Sequence, residues 1–132
     1  MKLDSLERSD LSSEGLDWLK SYLSTIDSRD IDAYGAFLSD NCSLRMNYIP
    51  VMEGKANVLM MLGSIWSSLA DMEHEPLMIL GDDKDFALET IHHYTIPSGK
   101  QTPIPATEFI SRNGDGLVDR IRIYCNADPA YS

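Results

Sequence analysis

The sequence predicts an α+β domain: three amino-terminal helices wrapped on one curved, mixed but mainly antiparallel sheet, forming a cone with an internal pocket. Three observations carry this. Apolar residues recur at helical spacing through most of the first seventy or so positions. Beyond about position 75 the pattern becomes short alternating runs separated by turn residues. A single strand interrupts the helical half, so the order is α-α-β-α-β-β-β-β. Helices segregated from a run of strands pack as one layer on another.

Residues 1–13 are polar and read as a flexible lead-in, leaving 14–132 as a single domain. The first helix carries Leu16, Trp18, Leu19, Tyr22, Leu23 and Ile26. In "SRDIDAYGAFLSDN" either Ser28 or Asp30 caps a second helix with Ile31, Tyr34, Phe37 and Leu38 on one face. "CSLRMNY", Cys42 to Tyr48, alternates with period two and reads as a strand. "IPVMEG" is a loop, and "KANVLMMLGSIWSSLAD" is a third helix with Val58, Leu59, Leu62, Ile65, Trp66 and Leu69 as its stripe.

"EPLMILGDD" is a strand ending in a turn. "FALETIHHYTIPSGK" is a strand running into a Ser98–Gly99 hairpin turn. "TPIPATEFISRNGDG" begins with two prolines, which favours an irregular or edge-like start. "LVDRIRIYCNADP" supplies the last strand.

The net charge of −10 over 132 residues disfavours nucleic acid and anionic membrane surfaces as partners. No apolar run is long enough to span a bilayer, and the first ten residues lack a signal-peptide core. Two cysteines without CxxC spacing suggest reduced thiols, and a cytoplasmic location is expected.

The order of elements, with "SYLSTIDSRDIDAYGAFLSDNCSL", "MEGKANVLMML" and "TIPSGKQTPIPATEFISRNGDGLVDRIRIY", resembles the SnoaL-like domains of the nuclear-transport-factor-2-like superfamily over about residues 15–130. That superfamily includes ketosteroid isomerase, limonene epoxide hydrolase and polyketide cyclases, beside members that only bind or dimerise. The resemblance implies a pocket between the sheet and the helices. Against the isomerase, Tyr22 falls near the helix tyrosine, Glu108 near the protonated acid, and Arg45 at the place of the carboxylate base. A guanidinium cannot accept that proton. The epoxide hydrolase triad falls on Glu89, Ile91 and Ile123, and the cyclase aspartate falls near Cys125 or Asn126, so neither set is present.

The resemblance also implies a parity for each strand. Ser43, Arg45 and Asn47 would face the cavity, as would Glu89, Ile91, His93 and Thr95. So would Ile104, Ala106, Glu108 and Ile110, and Ile121, Ile123 and Cys125. The expected catalytic groups are then Arg45, Glu108, His93, Tyr22 and Glu89, with Asn47, Trp66, Ile91, Ile123 and Cys125 lining the ligand space. Arg45 and Tyr22 would stabilise charge on an oxygen, and Glu108, Glu89 or His93 would move the proton.

The competing structural account makes Arg45 and Glu108 or Glu89 a buried ion pair that holds the cone together, with Tyr22 and the inward histidine as core. Adjacent His92 and His93 point to opposite faces, and His74 stands alone in sequence, so neither metal nor cofactor is expected. The function implied is a cofactor-independent isomerase or cyclase acting on a hydrophobic polyketide- or terpenoid-like metabolite of secondary metabolism. An epoxide-opening hydrolase or cyclase is the first alternative, and a non-catalytic binding or dimerisation module the second. A homodimer through the outer sheet face, carrying Arg120, Arg122 and Tyr124, is expected.

Overall fold

The computed structural model describes all 132 residues. Its elements run β1 (Arg8–Ser9), α1 (Ser13–Asp27), α2 (Ile31–Gly35), β2 (Leu38–Met46), β3 (Met52–Glu53), α3 (Lys55–Ser67), β4 (Asp71–Gly81), β5 (Asp85–Thr95), β6 (Gln101–Arg112), β7 (Val118–Cys125) and α4 (Asp128–Tyr131). One seven-stranded sheet has the order β1-β4-β5-β6-β7-β2-β3. The meander from β4 to β7 is antiparallel, whereas β2 joins β7, and β1 joins β4, in parallel.

Helix α1 starts where Ser12 accepts a hydrogen bond from the Gly15 amide, and it buries Leu19, Tyr22, Leu23 and Ile26. Asp30 caps α2 through the Ala33 amide. That helix is short, because Leu38, expected on its stripe, already belongs to β2. Residues 1–10, the larger part of the expected 1–13 lead-in, lie along the sheet edge. Lys2, Glu7 and Asp10 donate backbone hydrogen bonds to His74, Leu77 and Ile79 of β4.

The strand parities separate into two that the sequence reading placed well and two that it reversed. On β6, Ile104, Ala106, Glu108 and Ile110 are buried, and on β7 Ile121 and Ile123 are buried. On β2 beyond its irregularity between Leu38 and Ser43 the buried residues are Cys42 and Leu44, with Met46 lining the cavity, so Ser43 and Arg45 lie on the outer face. On β5 the buried set is Phe86, Leu88, Thr90, His92 and Tyr94, which turns Glu89, Ile91 and His93 outward. Simple apolar alternation explains both corrections: the more hydrophobic parity of each strand is the one removed from water.

Arg45 therefore sits directly across from Arg122 of β7, and its Nε is buried without a hydrogen-bond partner. It pairs with neither Glu108 nor Glu89. Because it stands on the far side of the sheet from the cavity, Arg45→Ala should leave any activity of the pocket within about twofold, as changes away from a site usually do. A large loss in turnover with unchanged stability would contradict that placement.

Candidate active site

Buried polar groups from the first two helices and from the sheet converge on one cavity, which the third helix closes with apolar side chains. Tyr22 and Ile26 come from α1, Tyr34 from α2, and Leu62, Ile65 and Trp66 from α3. The sheet adds Met46, Met72, His74, His92, Tyr94, Glu108, Ile121 and Ile123. Eleven of the fourteen lining residues are hydrophobic, the composition of a small-molecule site. About 40 Å³ of it is open to water, room for two or three molecules. Half-buried Met46 gives the wall a yielding side, since an unbranched thioether repacks easily.

At the centre stands Glu108, 3% exposed. Its Oε2 is 3.2 Å from His92 Nε2 and 3.5 Å from His74 Nε2. His74 and His92 are cross-strand partners on β4 and β5, with ring centroids 4.4 Å apart. The other nitrogen of His74, Nδ1, is 2.6 Å from Asp27 Oδ1, and Asp27 Oδ2 accepts from the His74 amide at 3.0 Å. The Met1 ammonium also reaches Asp27 Oδ2 at 3.1 Å. Asp27 is the last residue of α1, where a carboxylate opposes the helix dipole, so these contacts are what hold it there. His92 Nδ1 is 3.1 Å from the Tyr94 hydroxyl.

The electrostatics push the members apart. Burial alone works to lower the His74 pKa. Its hydrogen bonds to Asp27 and Glu108, and their charges, outweigh burial and raise it to about 9. For Glu108 burial works upward, and the hydrogen bonds and charges of the two histidines prevail, holding it well below the usual carboxylate range. His92 is lowered by burial and by the neighbouring His74 charge. At neutral pH the cluster thus holds an imidazolium (His74) between two carboxylates (Asp27 and Glu108), beside a neutral His92. With Glu108 ionised, His92 donates Nε2–H to it and accepts from the Tyr94 hydroxyl at Nδ1. Glu108 Oε1 makes no hydrogen bond and borders the cavity.

Facing this cluster, the Tyr22 and Tyr34 hydroxyls share a 2.7 Å hydrogen bond. Burial raises both pKa values, so both stay protonated. Two hydroxyl protons and one shared bond leave one proton free to donate into the cavity. Trp18 stacks on Tyr22 at 4.9 Å and fixes its ring.

These shifts set a pH dependence of stability in metal-free protein. The raised His74 pKa contributes stability that is complete below its unfolded value near 6.5 and is lost as pH rises through about 9. That limb is worth on the order of 3 kcal/mol. The lowered His92 stabilises above about 6.5, and the lowered Glu108 and Asp27 above about 4, each contribution fading as pH falls. Urea midpoints should peak between about pH 6 and pH 7. The alkaline limb should vanish in His74→Gln; a limb unchanged by that substitution would contradict the assignment.

Of the residues expected from sequence, Tyr22, Trp66, Glu108 and Ile123 line the cavity. Cys125 lies at the end of β7 outside the lining, and its amide bonds Asn47 Oδ1 at 2.9 Å. Asn47 itself adopts φ 55°, ending β2 in a left-handed turn rather than contacting ligand space. His93 pairs with Glu75 at 2.8 Å on the outer face, where Ile91 and exposed Glu89 also stand. Asp27, Tyr34, His74, His92 and Tyr94 were missed. His74, isolated in sequence, is not isolated in space.

A family model described as a SnoaL-like domain matches residues 19–121. No curated protein sequence matches the chain. Among solved structures, an NTF2-like protein of unknown function from Cytophaga hutchinsonii superposes with a TM-score of 0.65 at 18% identity, over 82% of this chain and 96% of that one. An epoxide hydrolase/cyclase-like enzyme of pyran ring formation in the polyether salinomycin gives 0.74 at 18% identity, over 87% and 92%. A Mycobacterium tuberculosis protein in complex with estradiol-17β-hemisuccinate gives 0.73 at 16% identity, over 89% and 97%.

Proposed function

The chain belongs to the SnoaL-like domain family, and on that footing we propose that its cavity catalyses a cofactor-independent proton shift, an isomerisation or cyclisation, on a small hydrophobic carbonyl compound of the polyketide or terpenoid type. The observation that carries this is the pair His74 and Glu108. Neighbouring charges push one pKa up and the other down, so that an acid and a base stand charged side by side at the cavity wall at neutral pH.

In this reading the free hydroxyl proton of the Tyr22–Tyr34 pair binds the carbonyl oxygen and stabilises the negative charge that grows there. Glu108 Oε1 takes the proton from carbon or from an attacking hydroxyl, and His74, oriented by Asp27, returns one. Glu108 by itself is a weak base; once His74 has given up its Nε2 proton, the proton captured by Glu108 can pass to that nitrogen across their 3.5 Å contact and restore both charges. The apolar wall excludes water and supplies the affinity.

Epoxide opening uses the same parts. His74 would protonate the epoxide oxygen while Glu108 activates the nucleophile, and the likeness to the epoxide hydrolase/cyclase-like enzyme favours keeping this reading second. The exposed Phe109 and Tyr124 on the outer sheet face support a homodimer.

The test is α-proton exchange of an apolar bicyclic ketone, 2-tetralone, in deuterated buffer containing chelator, followed by proton NMR. Exchange above the buffer rate is expected. Tyr22→Phe should slow it by about one to two orders of magnitude, since one donor to the developing oxyanion is typically worth about 3 kcal/mol and Tyr34 remains. Saturable ketone binding with exchange no faster than buffer would mean a binding module and overturn the catalytic reading.

A further inference from the structure

We propose that His74 Nε2, His92 Nε2 and a Glu108 carboxylate oxygen form a binding site for a divalent transition-metal ion of the zinc class, with a remaining coordination position turned to the cavity. The inference goes beyond proton transfer and shares with that reading only the location of the site.

Spacing is the first argument. The three ligand atoms all lie within 4.8 Å of one another. Nitrogens and oxygens held about 2.0–2.2 Å from a tetrahedral ion stand roughly 3.3 Å apart. The observed Nε2–Oε2 separations are 3.2 and 3.5 Å, long for charge-assisted hydrogen bonds and close to the edges of such a polyhedron. The far side of each ring supports the same site. His74 Nδ1 faces Asp27 Oδ1 at 2.6 Å, and His92 Nδ1 faces the Tyr94 hydroxyl at 3.1 Å. Both partners can accept an N–H, which frees the lone pair of each Nε2, the nitrogen nearer Glu108, for a metal ion, as metal-bound histidines require. The third argument is the open side: a three-ligand set beside water-accessible space matches a site that keeps one position for water or substrate. Two histidines and one carboxylate suit zinc, cobalt or iron rather than magnesium or calcium.

Occupancy by the ion and proton transfer by the same groups exclude each other, since the metal takes the lone pairs. Added zinc should therefore inhibit ketone exchange.

The test is a cobalt(II) titration of chelator-treated protein, read in the visible without any substrate. One equivalent should develop the intense d–d absorption of low-coordinate cobalt, displaced by one equivalent of zinc. His92→Gln and Glu108→Gln should abolish it, with folding checked by far-UV circular dichroism. Tyr94→Phe keeps all three ligands and the ring packing, and should weaken binding by about tenfold or more, which keeps the proposal testable if the ligand variants do not fold. Absorption no stronger than that of aqueous cobalt, retention of the band in both ligand variants, or an unweakened Tyr94→Phe would overturn the site. The exchange assay runs with chelator and the cobalt assay without ketone, so either reading can fail while the other stands.

Discussion

Glu108→Gln should slow proton exchange of a bound ketone by about 10²–10⁴-fold, the range general-base groups contribute, while the ketone still binds. Glu108 is the one carboxylate at the cavity wall, and its Oε1 is not already engaged by hydrogen bonding. The amide keeps the size and one acceptor oxygen but has no basic site, so packing around Ile121 and Ile123 is retained. The substitution also removes a negative charge beside His74, which should lower the His74 pKa and leave less of it protonated to act as the acid at neutral pH. Binding and exchange must be measured separately: an unchanged affinity with lost exchange supports the assignment, and unchanged exchange refutes it.

The second large effect is on stability. Asp27→Ala should cost about 3–5 kcal/mol, because it leaves the protonated His74 and the Met1 ammonium without their shared carboxylate in a site that is 10% exposed at Asp27 and 3% at His74. For a chain of this length that is a fall of roughly 10 °C or more in the unfolding midpoint. The double variant Asp27→Ala/His74→Leu should be less destabilised than the two single costs added together, since the orphaned charge is gone. Strict additivity would show that the pair is not coupled as its 2.6 Å contact implies.

The fold was legible because its signals are local and redundant. The α1 stripe, the hairpin turn at Ser98–Gly99 and the alternation of β6 and β7 each point to the observed element. The site was legible only in part, and the reason lies in two strands. For β2 and β5, parity was taken from resemblance, although the apolar alternation Cys42, Leu44, Met46 and Phe86, Leu88 points the other way. The hairpin register carried the correction for β5. Thr95 faces Gln101, so Ile104 faces His92, and an inward Ile104 requires an inward His92. His74 could not be placed from one strand, because its neighbour across β4–β5 is fixed by a pairing with a bulge after Pro76. Asp27 gives no signal beyond its position at the end of a helix. Long-range pairings create this cluster, and single-strand periodicity does not encode them.

The proposed chemistry requires an acid and a base to coexist in charged form beside the cavity at neutral pH. The most direct measurement is nitrogen-15 NMR of the histidine rings in metal-free protein across pH, with His74 assigned by the loss of its signals in His74→Gln. The structure predicts imidazolium shifts for His74 at about pH 7.5, titrating near 9, with His92 neutral at pH 7.5. A His74 ring that is already neutral at that pH would contradict it.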